Sequence, residues 1–185
     1  SYVFILNNDG TIAVFNSNRA EKRAGWVEFV TNGKFHSTVT IDDRVFANIE
    51  FDLGDGSKKI VLCEFDSSFN LDMAKSYNGT AGVFNVSSEF NNGAVLQVIN
   101  GNDYIGEFTV SGGNIDVSSV DKTLTTAEIG FKFDVEMKTN PLDANLSNGP
   151  LTGIPRGVGS VHLDLNETLS CKVNNTSMVI RNVTD

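Results

Sequence analysis

The chain has 185 residues, 40% of them hydrophobic, and carries a formal net charge of -9 with a pI near 4.6. No apolar run approaches the ~20 residues that a membrane-spanning helix needs. The acidic balance excludes a general nucleic-acid-binding surface, which requires clustered Lys and Arg; the short basic groups Arg19–Arg23 and Lys58–Lys59 do not reverse it. Cys63 and Cys171 lie far apart and outside any CxxC spacing, which excludes a zinc or thiol-redox motif of that kind. We expect two free thiols, with Cys63 a small buried hydrophobe in the apolar run Ile60–Phe65. The chain begins without Met, inside an apparent strand, and shows no charged leader before an apolar stretch. It therefore reads as a fragment of a longer protein without a signal peptide.

Short runs rich in Val, Ile, Thr and Phe, punctuated by Gly, Asn and Asp, predict strands throughout. Tyr2–Leu6 and Thr11–Asn16 flank Asn8-Asp9-Gly10, where Asp-Gly supplies the positive φ of a tight hairpin turn. Trp26–Val30 and Phe35–Ile41 flank Thr31-Asn32-Gly33-Lys34 and are expected to form the next hairpin. Arg44–Phe51 and Lys58–Phe65 flank Leu53–Ser57, and the alternation Val45, Ala47, Ile49, Phe51 places one face in a core. Asp42-Asp43 reads as a hairpin turn. Such closely spaced hairpins make antiparallel meanders resembling the blades of a β-propeller.

After Asp66, Asp72–Tyr77 is expected to hold a short helical or irregular turn. Val95–Ile99, Tyr104–Val110 and Asn114–Val117 follow as strands around Asn100-Gly101-Asn102 and Gly112-Gly113, and suggest a small β-barrel or sandwich. Ala127–Thr139 reads as one long strand with Ile129, Phe131, Phe133 and Val135 on one face. Pro141–Pro155 reads as a loop, and Gly159–Leu165 and Met178–Asn182 as returning strands. The expected fold is all-β: a blade-like meander over 1–66, a small inserted β-domain over 67–125, and a region 126–185 packing back on the first.

No catalytic constellation stands out. His36 and His162 are strand residues, and Gly157-Val158-Gly159-Ser160 lacks the closing Gly of a nucleophile elbow. Asp42, Asp43, Glu50, Asp52, Asp55, Glu64 and Asp66 are plentiful, but nothing selects the facing pair a glycosidase needs. Asn7–Gly10 and Asp52–Asp55 are explained by turn chemistry rather than by calcium binding. Phosphate-cradling Gly loops are absent. The N-x-S/T sequences at Asn78, Asn85, Asn145, Asn166, Asn174, Asn175 and Asn182 follow from an Asn-rich composition. No cofactor or metal is expected. Trp26, the sole Trp, is expected to be a core or inter-blade anchor rather than a sugar-stacking platform.

One ordered set of residues goes further. Asn7, Asp9, Gly10, Thr11, Ala13, Val14, Arg19, Gly25, Trp26, Phe29, Thr31, Gly33, Phe35 and Thr38 resemble a pattern in the tail nozzle (tail tubular) proteins of short-tailed phages. The likeness continues through Val95, Val98, Gly101, Gly106, Val110, Gly113 and Ile115. It resumes at Ala127, Ile129, Gly130, Phe131, Phe133, Thr139, Pro141 and Leu142, and ends at Arg156, Val161, Leu163 and Leu165. The segment Asn148–Gly159 carries only Arg156 where relatives often have a basic cluster. The resemblance implies a non-enzymatic virion protein, assembled in the host cytoplasm into a ring of six subunits in the tail. That ring would hold adaptor and fibre proteins and pass DNA through an acidic lumen without binding it, with no membrane partner. Asp9, Gly10, Trp26, Phe29, Phe35 and Arg156 are its structural or interface candidates. The alternative is a carbohydrate- or receptor-binding β-domain of an adhesin. A buried Trp26 favours the nozzle, and an exposed aromatic strip around Trp26 favours the alternative.

Overall fold

A computed structural model describes residues 2–18, 23–132, 134–138, 145–146, 149–150, 160, 162–163 and 171–178. The expectations for Arg19, Phe133, Thr139, Pro141, Leu142, Arg156, Val161 and Leu165 lie outside those residues. Among the described residues every regular element is a strand, and every pairing is antiparallel. The chain divides into two units, Ser1–Asp134 and Val135–Asp185.

The first unit opens with β1 (Tyr2–Leu6), β2 (Ile12–Asn18) and β3 (Arg23–Phe29), which form a three-stranded meander. A second three-stranded meander follows: β4 (Gly33–Ile41), β5 (Arg44–Asp52) and β6 (Lys58–Glu64). The expected hairpin across Thr31–Lys34 does not form, because β3 and β4 belong to different sheets. The reason is a capture from far along the chain. Asp72 accepts hydrogen bonds from the Thr31 hydroxyl at 2.5 Å and the Asn32 amide at 2.8 Å, so the connection is held out of a tight turn. Asp42-Asp43 turns the chain between β4 and β5 as expected, with Asp42 at φ 53.

A six-stranded sheet completes the unit, in the order β10-β9-β12-β7-β8-β11. Its members are β7 (Asp72–Thr80), β8 (Val83–Asn85), β9 (Val95–Asn100), β10 (Asp103–Thr109), β11 (Asn114–Asp116) and β12 (Thr126–Phe131). The helical or irregular turn expected at Asp72–Tyr77 is instead strand. Its low β-propensity is overridden by pairing with β12 along Thr126–Phe131. Ala81 and Gly82, at φ 53 and 79, form the two-residue turn between β7 and β8, the conformation whose twist suits a hairpin. The long strand expected over Ala127–Thr139 stops at Phe131, where β7 ends as a partner opposite Asp72. Val135 beyond it is exposed. No strand is present at the described residues of Gly159–Leu165.

The edges of this sheet, β10 and β11, are joined by residues 110–113 alone. A flat six-stranded sheet would set them about 24 Å apart at ~4.8 Å per strand. A linker of that length reaches at most about 18 Å, and Ser111 and Asn114 already bridge within it. The sheet must therefore curl into a half-barrel. One core fills it, through Phe84, Leu96, Val98, Ile115, Val117 and Ile129, and it is continuous with Ile12, Val14, Phe35, Ile49 and Phe51 of the two meanders. Phe51 stacks on Phe131 at 5.9 Å between ring centres, and Phe90 meets Phe131 edge-on at 5.3 Å. Such aromatic pairs add to the energy of burial itself. Gly54, at φ 113, lies so close to Ala94 that an added Cβ would fall 2.2 Å from the Ala94 nitrogen, so only glycine fits this joint.

The second unit contains two short hairpins among its described residues. β13 (Asn145–Leu146) pairs with β14 (Gly149–Pro150), and β15 (Cys171–Val173) pairs with β16 (Thr176–Met178). Asn174 and Asn175, at φ 48 and 64, make the turn of the latter.

Candidate functional site

The Asn7–Thr11 motif is a structural clip. Asp9 accepts hydrogen bonds from the Thr11 amide at 3.0 Å and the Thr11 hydroxyl at 2.9 Å. These bonds hold its carboxyl below the usual range. Asn7 donates to the Thr11 hydroxyl oxygen at 2.9 Å. Gly10 sits at φ 90, and its carbonyl accepts the Phe35 amide at 2.9 Å, tying the first meander to the second. A Cβ at Gly10 would lie 2.8 Å from the Lys34 Cβ. Asp9 and Gly10 thus serve the joint between sheets. Phe35 is buried, and Phe29 packs partly buried against the same core. Both face Phe65, at 6.0 and 5.7 Å between ring centres.

Trp26 is not in the core. It is 62% exposed, which corrects the core half of the core or inter-blade anchor expected of it. The register explains it. Val3 pairs with Phe15 and Phe15 with Trp26, so the three stand in one row on one face of the sheet. Ile5 and Ala13 form the next row, which ends at Glu28. The opposite face carries Ile12 and Val14, and that is the face the core consumes. The outer face is thus an apolar surface of Val3, Ile5, Phe15 and Trp26, with the Trp26 and Phe15 rings 4.8 Å apart. Val3, Ile5 and Phe15 escaped the sequence reading as surface residues. The available signal was that β1 and the Ile12–Phe15 half of β2 are apolar on both faces, which marks strands covered on both sides.

The second meander exposes a mixed surface. Glu50 binds Lys58 at 3.1 Å and His36 at 3.4 Å, and Glu64 binds Arg44. Arg44 also lies over the Phe46 ring at 5.0 Å. Asp52, Asp55 and Asp66 accept amide hydrogen bonds inside their own turns. Asp55 is held down to about 2 by hydrogen bonds from Ser57 and Asn91. Among the described residues, every carboxyl with a resolved shift is displaced downward by hydrogen-bond donors or cations: Asp9, Glu50, Asp55, Glu64, Asp66, Glu89, Asp116 and Asp121. A general acid needs the opposite displacement. No cluster of three metal-ligating side chains occurs among the described residues. Cys63 and Cys171 are both free, and burial pushes the Cys63 thiol up to about 11.

On the half-barrel, a groove of about 380 Å³ is lined by Asn70, Ser76, Asn100, Asn102, Thr126 and Glu128 among others. Glu128 accepts the Asn70 amide at 2.6 Å.

The chain matches no family model, no curated protein and no solved structure.

Proposed function

We propose that this chain is a non-enzymatic structural protein that works by assembly, and that the tail nozzle ring named by its sequence resemblance is that assembly. The supporting observation is the bare outer face of β1–β3. Val3, Ile5, Phe15 and Trp26 form a contiguous apolar surface on a sheet whose other face already packs the core. Monomers rarely leave such a patch in water, and protein interfaces are where it is covered. In this reading the meanders of residues 2–64 are the blade-like part and the half-barrel is the inserted part. The exposure of Trp26 goes against the burial expected of a nozzle blade, and the reading holds only with Trp26 as the anchor of a subunit contact rather than the core of one blade. Six copies close the ring, adaptor and fibre proteins attach to it, and DNA slides past an acidic wall without sticking.

Electron microscopy of the concentrated protein tests this. Closed rings that disappear in Trp26→Lys support the proposal. Wild-type protein that never forms rings counts against it.

A second reading is favoured by the same exposure: a receptor- or carbohydrate-binding β-domain using Trp26 as a platform. The row of Trp26 and the apolar residues beside it, Val3, Ile5, Ala13 and Phe15, offer no side-chain hydrogen-bonding group to orient hydroxyls. Glu28, two residues along the strand on the same face, already accepts the Thr11 hydroxyl at 2.9 Å.

A further inference from the structure

We infer that the groove on the half-barrel is a binding site for a neutral saccharide, separate from the Trp26 face. Three observations carry it.

The first is the lining. Ser76, Asn100, Asn102 and Thr126 line the groove with Glu128, and their side chains make no hydrogen bond within the described structure. Hydroxyl and amide groups both donate and accept, as sugar hydroxyls do, and a carboxylate accepts only. The set therefore suits a ligand that presents several hydroxyls at once.

The second is orientation. Glu128 is fixed by the Asn70 amide at 2.6 Å, with the Asn70 side chain at 3.4 Å. A positioned acceptor loses little freedom on binding.

The third is the strand register. Ser76 pairs with Glu128, Glu128 with Ile99, and Ile99 with Tyr104. These four residues stand in one row across β7, β12, β9 and β10, so the half-exposed Tyr104 ring shares a face with Glu128. Two strand spacings separate them, about 10 Å, which is the length of a disaccharide. The ring offers an apolar surface for the C–H face of one sugar while the groove binds the hydroxyls of the next.

Charge selects among sugars. Glu128 inside the groove and the net charge of -9 disfavour anionic glycans. Among the described residues no cation lines the groove to offset that. The site does not depend on the assembly proposal, and either can fail alone.

The test is an NMR titration of the ¹⁵N-labelled chain with lactose, maltose, cellobiose and chitobiose, with sialyllactose as the anionic control. The expected result is saturable shifts at Asn100–Tyr104 and Thr126–Glu128 with at least one neutral disaccharide. Tyr104→Ala and Asn102→Ala should each weaken binding about tenfold, the scale of one lost contact. Trp26→Ala should leave it unchanged. Asn102 is in an exposed turn, so its loss should leave the spectrum folded. No groove shifts with any neutral sugar, binding unaffected by both groove variants, or binding lost in Trp26→Ala would each overturn the inference.

Discussion

The outer face of β1–β3 presents Val3, Ile5, Phe15 and Trp26, whereas the outer face of the half-barrel presents Ser76, Thr126 and Glu128. Both sheets bury their inner faces in the same continuous core. Stability therefore does not explain the difference, since either outer face could be polar without cost to the interior. An apolar outer face excludes water only when another surface covers it. An unpaired polar face stays solvated and can exchange its water for a hydrogen-bonding ligand. Under the two proposals, the faces divide the labour of the chain into docking and recognition.

The comparison assumes one cooperative body under both faces, and this can be broken first. Phe51→Ala removes a fully buried ring stacked on Phe131, at the joint between meander and half-barrel. It should cost about 3–5 kcal/mol. Trp26 fluorescence and far-ultraviolet circular dichroism should still report one coincident melting transition. Separate transitions would show that the two faces belong to independent bodies.

Gly10→Ala attacks the clip between the meanders. A Cβ forced into the positive-φ turn and against Lys34 should cost about 1–3 kcal/mol, read by urea denaturation. A cost near zero would mean that the clip is slack.

Trp26→Lys sharpens the contrast directly. Its effect on unfolding should stay near 1 kcal/mol, the scale of the lost Phe15 pairing, while its effect on assembly should be complete. A large loss of stability with assembly intact would return Trp26 to a structural role.

The smallest effect is at acid pH. Asp55 is depressed to about 2 from an ordinary value of 3.8, chiefly by Ser57. Its contribution is fully present above the ordinary value and is lost as the pH falls toward 2. Asp55→Asn should flatten that part of the stability–pH curve and leave the curve unchanged in shape near neutrality. A curve of identical acid limb would mean that Asp55 keeps its ordinary pKa.

Most strands were legible because their turns are written in the sequence. Asp9-Gly10, Asp42-Asp43, Gly101 and Gly112-Gly113 all sit at chain reversals with a positive φ. The switch between sheets at Thr31–Lys34 was hidden, because its cause is Asp72, some forty residues away. Asp72–Tyr77 was misread because Asp72, Lys75 and Ser76 are weak strand formers that only pairing with β12 holds extended. The alternation from Ala127 onward pointed to a longer strand, but alternation cannot show where a partner ends, and β7 gives out opposite Phe131. A blade-like context pointed Trp26 to the core or to an inter-blade contact, and the core half of that does not hold. The doubly apolar character of β1 and of Ile12–Phe15 in β2 was the better clue to the candidate site. The groove was invisible in sequence, since Asn70, Asn100 and Glu128 meet only through the pairing of β12 with β7 and β9.

The most direct test of the docking face is sedimentation of the wild-type chain over a wide concentration range, with acrylamide quenching of Trp26 at each point. The account predicts association that rises with concentration together with protection of Trp26, both abolished in Trp26→Lys. A chain that stays monomeric with Trp26 freely quenched throughout would contradict it.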